Sequence, residues 1–126
     1  MLFPESGDNI LLWTGRSAIS LGLERPLGQI SDAVRLPGGR LAVLHRQVSP
    51  LGFANAITLL DPLPRGGFKT ARSFPLRGTG LDNFEALAAE RLASGRTRLW
   101  LMTDDNFQRP LRTLLIALDV PKDVGR

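Results

Sequence analysis

The 126-residue sequence contains no cysteine and no tyrosine, and its only histidine is His45. Without cysteine the chain can form no disulfide bond, no thiolate metal site and no cysteine nucleophile. With a single histidine, neither a zinc site nor a histidine-dependent serine triad is expected. The longest apolar runs, residues 10–13 and 114–118, are far shorter than the roughly 20 residues that span a bilayer. We therefore expect no membrane partner.

The positive charge of the chain is not concentrated in one place. Sixteen Lys and Arg residues outnumber twelve Asp and Glu residues, which gives a net charge of +4, and only Lys69 and Lys122 are lysines. The arginines are scattered, without a consecutive run or interleaved aromatic residues. Because nucleic-acid binding needs a concentrated basic patch or stripe, we expect no nucleic-acid partner. The hydrophobic share of 43% is that of an ordinary globular protein.

Two segments, residues 32–61 and 85–119, share one order of features. Each begins with an acidic residue and alanine and continues through a glycine-containing turn into a short apolar run. A Pro-Leu pair follows, and a second apolar run ends at an aspartate near a proline. The turns at Gly38-Gly39 and Ser94-Gly95 supply the positive φ angles that tight hairpins need. The pattern predicts a repeated antiparallel meander, and its period of roughly fifty residues is close to that of some β-propeller blades.

The remaining segments fit the same arrangement. Residues 68–76 predict a fourth, outer strand that ends at Pro75, because proline cannot donate a hydrogen bond to a ladder. Residues 4–14 resemble a turn and its apolar run, and residues 17–23 predict the next strand. Propellers close with about four to eight blades, and this chain carries about two and a half. We predict an all-β single domain over residues 1–126, a partial β-propeller of antiparallel four-stranded blades, with an incomplete blade at 1–29, a second blade at 30–80 and a last blade at 81–121.

One segment is compatible with two secondary structures. Residues 82–85, followed by Ala-Leu-Ala-Ala-Glu-Arg-Leu-Ala, resemble a capping box that opens a helix of good helix formers. The equivalent residues 32–35 are predicted as a strand, and pairing in a sheet can override a weak local preference. We predict a strand over residues 84–93, with a helix as the alternative.

Three stretches of the last unit carry a distinctive motif pattern. They are Asp82-Asn83-Phe84-Glu85-Ala86-Leu87-Ala88, Thr103-Asp104-Asp105-Asn106-Phe107 and Arg112-Thr113-Leu114-Leu115. Together with residues 31–41 and Arg46, they resemble the closing part of the phytase-like domain, the family described as having esterase-like activity of phytase. The resemblance covers residues 30–121, which would be less than half of a family domain. Ala86 stands where the family usually has glycine, and His45 where it usually has glutamate.

The resemblance implies a hydrolase that acts on a small-molecule phosphoester or other ester, with calcium as its cofactor. It also implies an exported or periplasmic parent protein, although no charged segment followed by an apolar stretch opens this chain. The chain taken alone is expected to lack part of what the activity needs, because a closed propeller has more blades.

Hairpin geometry suggests where the site lies. In an antiparallel hairpin the start of the first strand and the end of the second meet at one edge. Glu85 and Asp104 hold these places in the last unit, and Asp32 and Arg46 hold them in the preceding one, so the four groups are expected at one mouth of a channel. Carboxylates there suit calcium, which would polarise an ester for attack by water. The expected catalytic residues are Glu85, Asp104 and Arg46, the substrate-binding residues are Arg46, Asn83 and Asn106, and the calcium ligands are Asp32, Glu85, Asp104 and Asp105.

Each of these roles has a structural alternative. Residues 104–106 can cap a turn by bonding nearby amides, and Glu85 can cap a helix. Arg46 can pair with a carboxylate of the neighbouring blade instead of a phosphate. His45 is expected as a solvent-facing strand residue rather than a base. The residues Trp13, Leu99 and Trp100 are expected to pack in the sheets.

A different class of function also fits the sequence. An incomplete propeller leaves open sheet edges and exposed apolar faces, and both invite association. The alternative to a hydrolase is therefore a non-catalytic propeller fragment that binds a partner or a second copy of itself.

Overall fold

The computed structural model describes residues 9–13, 15–22, 28–50, 52–76, 82–109 and 111–120. Within these residues every regular element is a β-strand and every strand pairing is antiparallel, which confirms the predicted all-β fold. The strands are β1 (Asn9–Trp13), β2 (Ala18–Gly22), β3 (Gln29–Arg35), β4 (Leu41–Ser49), β5 (Gly52–Pro62), β6 (Phe68–Pro75), β7 (Phe84–Arg91), β8 (Thr97–Thr103) and β9 (Leu115–Asp119).

The strands form three separate sheets. The first pairs β1 with β2, the second has the order β3-β4-β5-β6, and the third has the order β7-β8-β9. Neighbours in each sheet are neighbours in the chain, so each is a meander, and the described strands do not close into a barrel. The predicted outer strand at residues 68–76 is β6, which ends at Pro75 as expected. These open antiparallel sheets are consistent with part of a propeller.

The division into blades at 1–29, 30–80 and 81–121 stays a prediction. Of the partial first unit, residues 4–8 and 14 lie outside the described residues, as does the side chain of Trp13. In the part of the chain that the structure covers, no helix has the length and apolar character to cross a membrane.

The first hairpins of the second and third sheets turn in the same way. The amides of Leu36 and Leu92 each donate to the carbonyl four residues later, at 2.8 Å. Gly39 and Gly95 donate back to Leu36 and Leu92, at 3.1 and 2.9 Å. Their φ angles are 90° and 80°, values that favour glycine because it has no Cβ. The two glycine turns therefore act as the sequence predicts.

The main hydrophobic core lies between the second and third sheets. Phe84, Leu101, Leu44 and Ile57 are among its fully buried side chains. The buried members come from both sheets and are Leu36, Ala42, Leu44, Ile57, Leu59, Phe84, Leu87, Leu99, Leu101 and Val120. Burial of this apolar surface, at about 25 cal/mol per Å², holds the two sheets together.

The first half of strand β4 is buried on both of its faces. Ala42 and Leu44 belong to the main core, whereas Leu41 and Val43 belong to a second cluster with Ile30, Ala33 and Leu60. All four residues of the run are 0% exposed. A strand covered on both faces needs apolar residues at successive positions, which explains the unbroken run in the sequence.

A β-bulge interrupts the inner strand of each larger sheet at an equivalent place. In β3 the pairing with β4 shifts between Ile30 and Asp32, and in β7 the pairing with β8 shifts between Phe84 and Ala86. The extra residue changes which side chains face the core, so Phe84 and Leu87 are both buried although they are three residues apart. Residues 84–91 form a strand, as predicted. The same three-residue spacing is also typical of a helix, which explains the ambiguity.

His45 is completely buried, so its predicted place on a solvent-facing strand is wrong. It follows the apolar run of β4 and lies between Ile30 of β3 and Ala56 of β5, in the part of the sheet covered on both faces. Its Nε2 is 2.9 Å from Oγ1 of Thr58, which is in turn 2.9 Å from Oγ of Ser73. The histidine thus forms part of a polar chain across β4, β5 and β6.

Candidate functional site

Arg46 of β4 reaches across to the start of β7 and joins two polar side chains there. Its Nη1 donates to Oε1 of Glu85 and to Oδ1 of Asn83, both at 2.7 Å. Nδ2 of Asn83 also donates to the same oxygen of Glu85, at 2.8 Å. The structure therefore brings together three of the predicted site residues in one hydrogen-bonded group.

The position of Asn83 is fixed by the segment that carries it. Asp82 and Asn83 are both buried. Nδ2 of Asn55, on β5, donates to the carbonyl of Asp82 at 2.8 Å, and Nη2 of Arg112 donates to its carboxylate at 2.6 Å. The amide of Asp104 donates to the carbonyl of Asn83 at 2.9 Å. Bonds from β5 and from the segment between β8 and β9 hold these residues, so Asn83 presents its amide group to Arg46 in a defined orientation.

The pairing of Arg46 matches its structural alternative. Its partner Glu85 lies in the neighbouring sheet, and the two side chains are 25% and 41% exposed. The guanidinium also lies over the ring of Phe53, 5.5 Å from the ring centre. A pair at this exposure contributes modestly to stability, since the charges remain partly hydrated. Its geometric effect is to keep the guanidinium at the junction of the two sheets.

An open polar pocket lies beside this pair. It has a volume of about 340 Å³ and is lined by Ile30, Ser31, Arg46 and Glu85. We call it the Arg46–Glu85 pocket. The two residues displaced by the β-bulges, Ser31 in β3 and Glu85 in β7, both contribute to it. The bulges therefore aim one side chain from each sheet at a common space, which is a frequent use of a bulge.

Two polar atoms at the pocket have unused hydrogen-bonding capacity. Within the described part of the chain, Oγ of Ser31 and Nε of Arg46 are buried and have no hydrogen-bond partner. A buried donor left without a partner costs about 1–3 kcal/mol, so it gains from a hydrogen bond to bound water or a ligand. Nη1 of Arg40 and Nε of Arg96, outside the pocket lining, are in the same state. The pocket is thus lined by a guanidinium and a carboxylate, and the two donors without a partner lie beneath its surface.

Asp32 has a different environment from the one that the sequence suggests. Its Oδ1 accepts a hydrogen bond from the amide of Ala33 at 2.8 Å, and its Oδ2 accepts one from the amide of Leu87 at 2.7 Å. The second bond joins β3 to β7. Because Ser31 and Glu85 are the extra residues of matching bulges, Ser31 rather than Asp32 occupies the position that matches Glu85. Asp32 therefore links the backbones of two neighbouring strands.

The acidic loop after β8 stabilises its own turns. Oδ1 of Asp104 accepts a hydrogen bond from the amide of Asn106, and Oδ1 of Asp105 accepts one from the amide of Phe107, both at 2.9 Å. Asn106 and Phe107 have φ angles of 49° and 55°. This is the turn-capping arrangement that was the alternative for residues 104–106. The loop begins at the edge of the sheet where Asn83 lies.

The donor set does not fit a calcium ion. Among the described residues, no group of three or more Asp, Glu, His or Cys side chains lies close enough to hold a metal. The four predicted ligands are described, and each accepts at least one hydrogen bond from an amide or a guanidinium. Calcium requires six to eight oxygen ligands around one point. Calcium therefore stays a prediction from the sequence, and no step proposed below depends on it.

Ion pairs near the two sheets shift the pKa of a few groups. The hydrogen bond from Arg98 lowers the pKa of Asp119, and the same bond raises that of Arg98. The hydrogen bond that Arg112 donates to Asp82 likewise raises the pKa of Arg112. Nε of Arg98 and Oδ1 of Asp119 are 2.7 Å apart and join β8 to β9. These pairs stabilise the third sheet and the segment before β7.

Ser31 is the residue of this pocket that sequence reasoning missed. A signal for it exists in the spacing of apolar residues. Ile30 and Ala33 are both buried, as are Phe84 and Leu87, although a regular strand buries every second residue. The break in alternation marks an extra residue between the members of each pair, which is Ser31 in one strand and Glu85 in the other.

The fold and the pocket define the class of this protein. Open antiparallel meanders whose inner strands meet at a polar pocket are consistent with a segment of a β-propeller. Residues 14–107 match the phytase-like family, described as "Esterase-like activity of phytase", and the chain belongs to this family. No curated protein and no solved structure matches the chain.

Proposed function

We propose that this phytase-like chain takes part in the hydrolysis of a small phosphoester or other ester in the Arg46–Glu85 pocket. The observation that carries the proposal is the combination of a guanidinium and a carboxylate in one open polar pocket of about 340 Å³. The membership of a family described by esterase-like activity supports it. A pocket of this size accommodates a small ester group.

Arg46 binds the anionic oxygen of the substrate. Its Nη1 is held by Asn83 and Glu85, and the side chain is 25% exposed and lines the pocket. A guanidinium held in place by two acceptors loses little freedom when it binds an oxyanion. The ion pair also reduces the repulsion between Glu85 and an anionic substrate, because the positive charge of Arg46 partly neutralises the carboxylate.

Glu85 acts as the general base. Its side chain is 41% exposed and lines the pocket, so it can contact a water molecule there. The carboxylate accepts a proton from the water, whose oxygen bonds to the phosphorus or the acyl carbon. The ester oxygen leaves with the bonding electron pair and takes a proton from solvent, and the products are an acid and an alcohol. Loss of the proton from Glu85 to solvent restores the site.

The test is hydrolysis of p-nitrophenyl phosphate and p-nitrophenyl acetate by the full chain. A positioned general base contributes about 10²–10⁴-fold, so Glu85→Gln should reduce turnover by at least about 10²-fold. Glu90→Gln is the matched control, because Glu90 lies on the same strand and bonds Nε1 of Trp100 instead. Absence of turnover of either ester by the wild-type chain, or equal loss in both variants, contradicts the proposal.

A second candidate function is self-association through an open sheet edge. Within the described strands, β9 pairs only with β8 and carries Leu115, which is 67% exposed. An edge strand with an exposed apolar residue invites pairing with another copy. Light scattering distinguishes the possibilities, since a dimer that is lost in Leu115→Lys favours this function and a compact wild-type monomer contradicts it.

A further inference from the structure

We infer that Ser31 donates a hydrogen bond to the anionic group of the substrate, beside the guanidinium of Arg46, so that the pocket selects a tetrahedral oxyanion such as phosphate. The inference deepens the proposed function and rests on it for the location of the substrate. It assigns a substrate-binding role to a serine that the sequence alone does not single out.

The first observation is the equivalence of Ser31 and Glu85. Ile30 pairs with His45 and Asp32 with Leu44, which leaves Ser31 as the extra residue of its bulge. Glu85 is the extra residue of the matching bulge in β7. Both line the same pocket, together with Arg46, and so the two inner strands place a hydroxyl and a carboxylate around one guanidinium.

The second observation is the state of the donors. Nη1 of Arg46 already donates hydrogen bonds to the amide oxygen of Asn83 and to the carboxylate of Glu85. Oγ of Ser31 and Nε of Arg46 are buried without a partner among the described residues. The hydroxyl of Ser31 is therefore an unused donor near a positive charge, and a phosphate oxygen offers it a charged acceptor.

Access to the hydroxyl requires a small movement. Oγ is covered in this structure, but Ser31 is only half-buried and lines the pocket. Serine has three staggered χ1 rotamers, and a change between them moves Oγ without a change in the backbone. A phosphate that enters the pocket therefore gains this donor when the side chain rotates, whereas a neutral ester offers a weaker acceptor.

The experiment measures binding of inorganic phosphate to the full chain by calorimetry. A hydrogen bond to a charged group predicts that Ser31→Ala weakens binding by about tenfold or more. Ser31→Thr keeps the hydroxyl and should retain most of the affinity, a rescue that a merely structural role does not predict. Ser94→Ala is the matched control, because Ser94 lies in the turn at the opposite end of the β7–β8 hairpin and should leave affinity unchanged. Thermal unfolding of each variant reports whether it is folded.

The outcomes separate this inference from the proposed hydrolysis. Equal phosphate affinity in the wild-type chain and folded Ser31→Ala overturns the role of Ser31. Turnover of p-nitrophenyl acetate without any phosphate binding overturns the inference and leaves ester hydrolysis standing. Phosphate binding that depends on Ser31, in a chain without turnover, supports the inference and overturns the hydrolysis. Loss of affinity in Ser31→Ala with recovery in Ser31→Thr is the result we expect.

Discussion

Nη1 of Arg46 and Oε1 of Glu85 lie 2.7 Å apart, although the two residues belong to different sheets. Asn83 bonds both of them, so the contact is a three-membered group rather than an isolated ion pair. The group lies where the inner strand of one sheet meets the next. It therefore couples the shape of the pocket to the packing of the two sheets.

The first prediction concerns this coupling. In a double-mutant cycle with Arg46→Met and Glu85→Gln, the coupling free energy between the two side chains should be about 0.5–1 kcal/mol, because both are partly exposed. Urea unfolding of the four proteins measures it. If the losses in the free energy of unfolding of the two single variants simply add in the double variant, the two side chains do not interact directly in solution.

The second prediction tests the core between the sheets. Leu44 is 0% exposed and belongs to the main cluster. Leu44→Ala should reduce the free energy of unfolding by about 2–5 kcal/mol through lost burial and a residual cavity. Leu115→Ala is the control, since that side chain is 67% exposed and should change stability by about 0.5 kcal/mol or less. Similar losses in both variants argue against the described packing.

The third prediction concerns pH. The hydrogen bond from Arg98 lowers the pKa of Asp119 below its ordinary value of 3.8, so folding binds fewer protons at this site. The stabilisation is present above that value and is lost as the pH falls through the lower pKa of the folded state. Asp119→Asn should therefore flatten the decline of stability with acidification, as measured by thermal unfolding from neutral pH downward. Arg98→Met removes the donor and should have the same effect. If stability declines with acidification as steeply in both variants as in the wild-type chain, this prediction is wrong.

The fourth prediction concerns calcium. A calcium ion that recruited Asp104 and Asp105 would displace the amide hydrogen bonds of their turns, so we expect weak binding, with a Kd of about 10⁻⁴ M or above. Calorimetric titration with calcium, and with magnesium as the control, measures it. Submicromolar calcium binding that disappears in Asp104→Asn shows instead that these turns rearrange into a metal site.

Local pattern is enough to predict most of the strands and turns. The glycines at the two hairpins need positive φ angles, and the apolar runs have strand length, so each leaves a signal in a few neighbouring residues. The strand at residues 84–91 was predicted against a helical propensity because of its likeness to an earlier segment. The membership of the chain in the phytase-like family is also recognisable from short motifs.

The site was only partly predictable, because bulges and two-sided burial depend on tertiary packing. The matching bulges align Ser31 with Glu85, whereas the sequence pattern alone aligns Asp32 with Glu85, so Ser31 is missed. His45 follows an apolar run that is covered on both faces, which no pattern local to the histidine reveals. Arg46, Asn83 and Glu85 were each selected from the sequence, but their mutual bonds depend on how two sheets pack.

The burial of residues 41–44 of β4 on both faces has a consequence for hydrogen exchange. The amides of β4 pair with β3 and β5, so deuterium reaches the backbone of residues 41–44 only when neighbouring strands separate. Exchange there should report the most global opening of this part of the chain, whereas β6, whose residues 69–73 are exposed, should exchange through local fraying. Among the described strands, the slowest-exchanging amide protons should therefore lie in β4, the strand that carries Arg46.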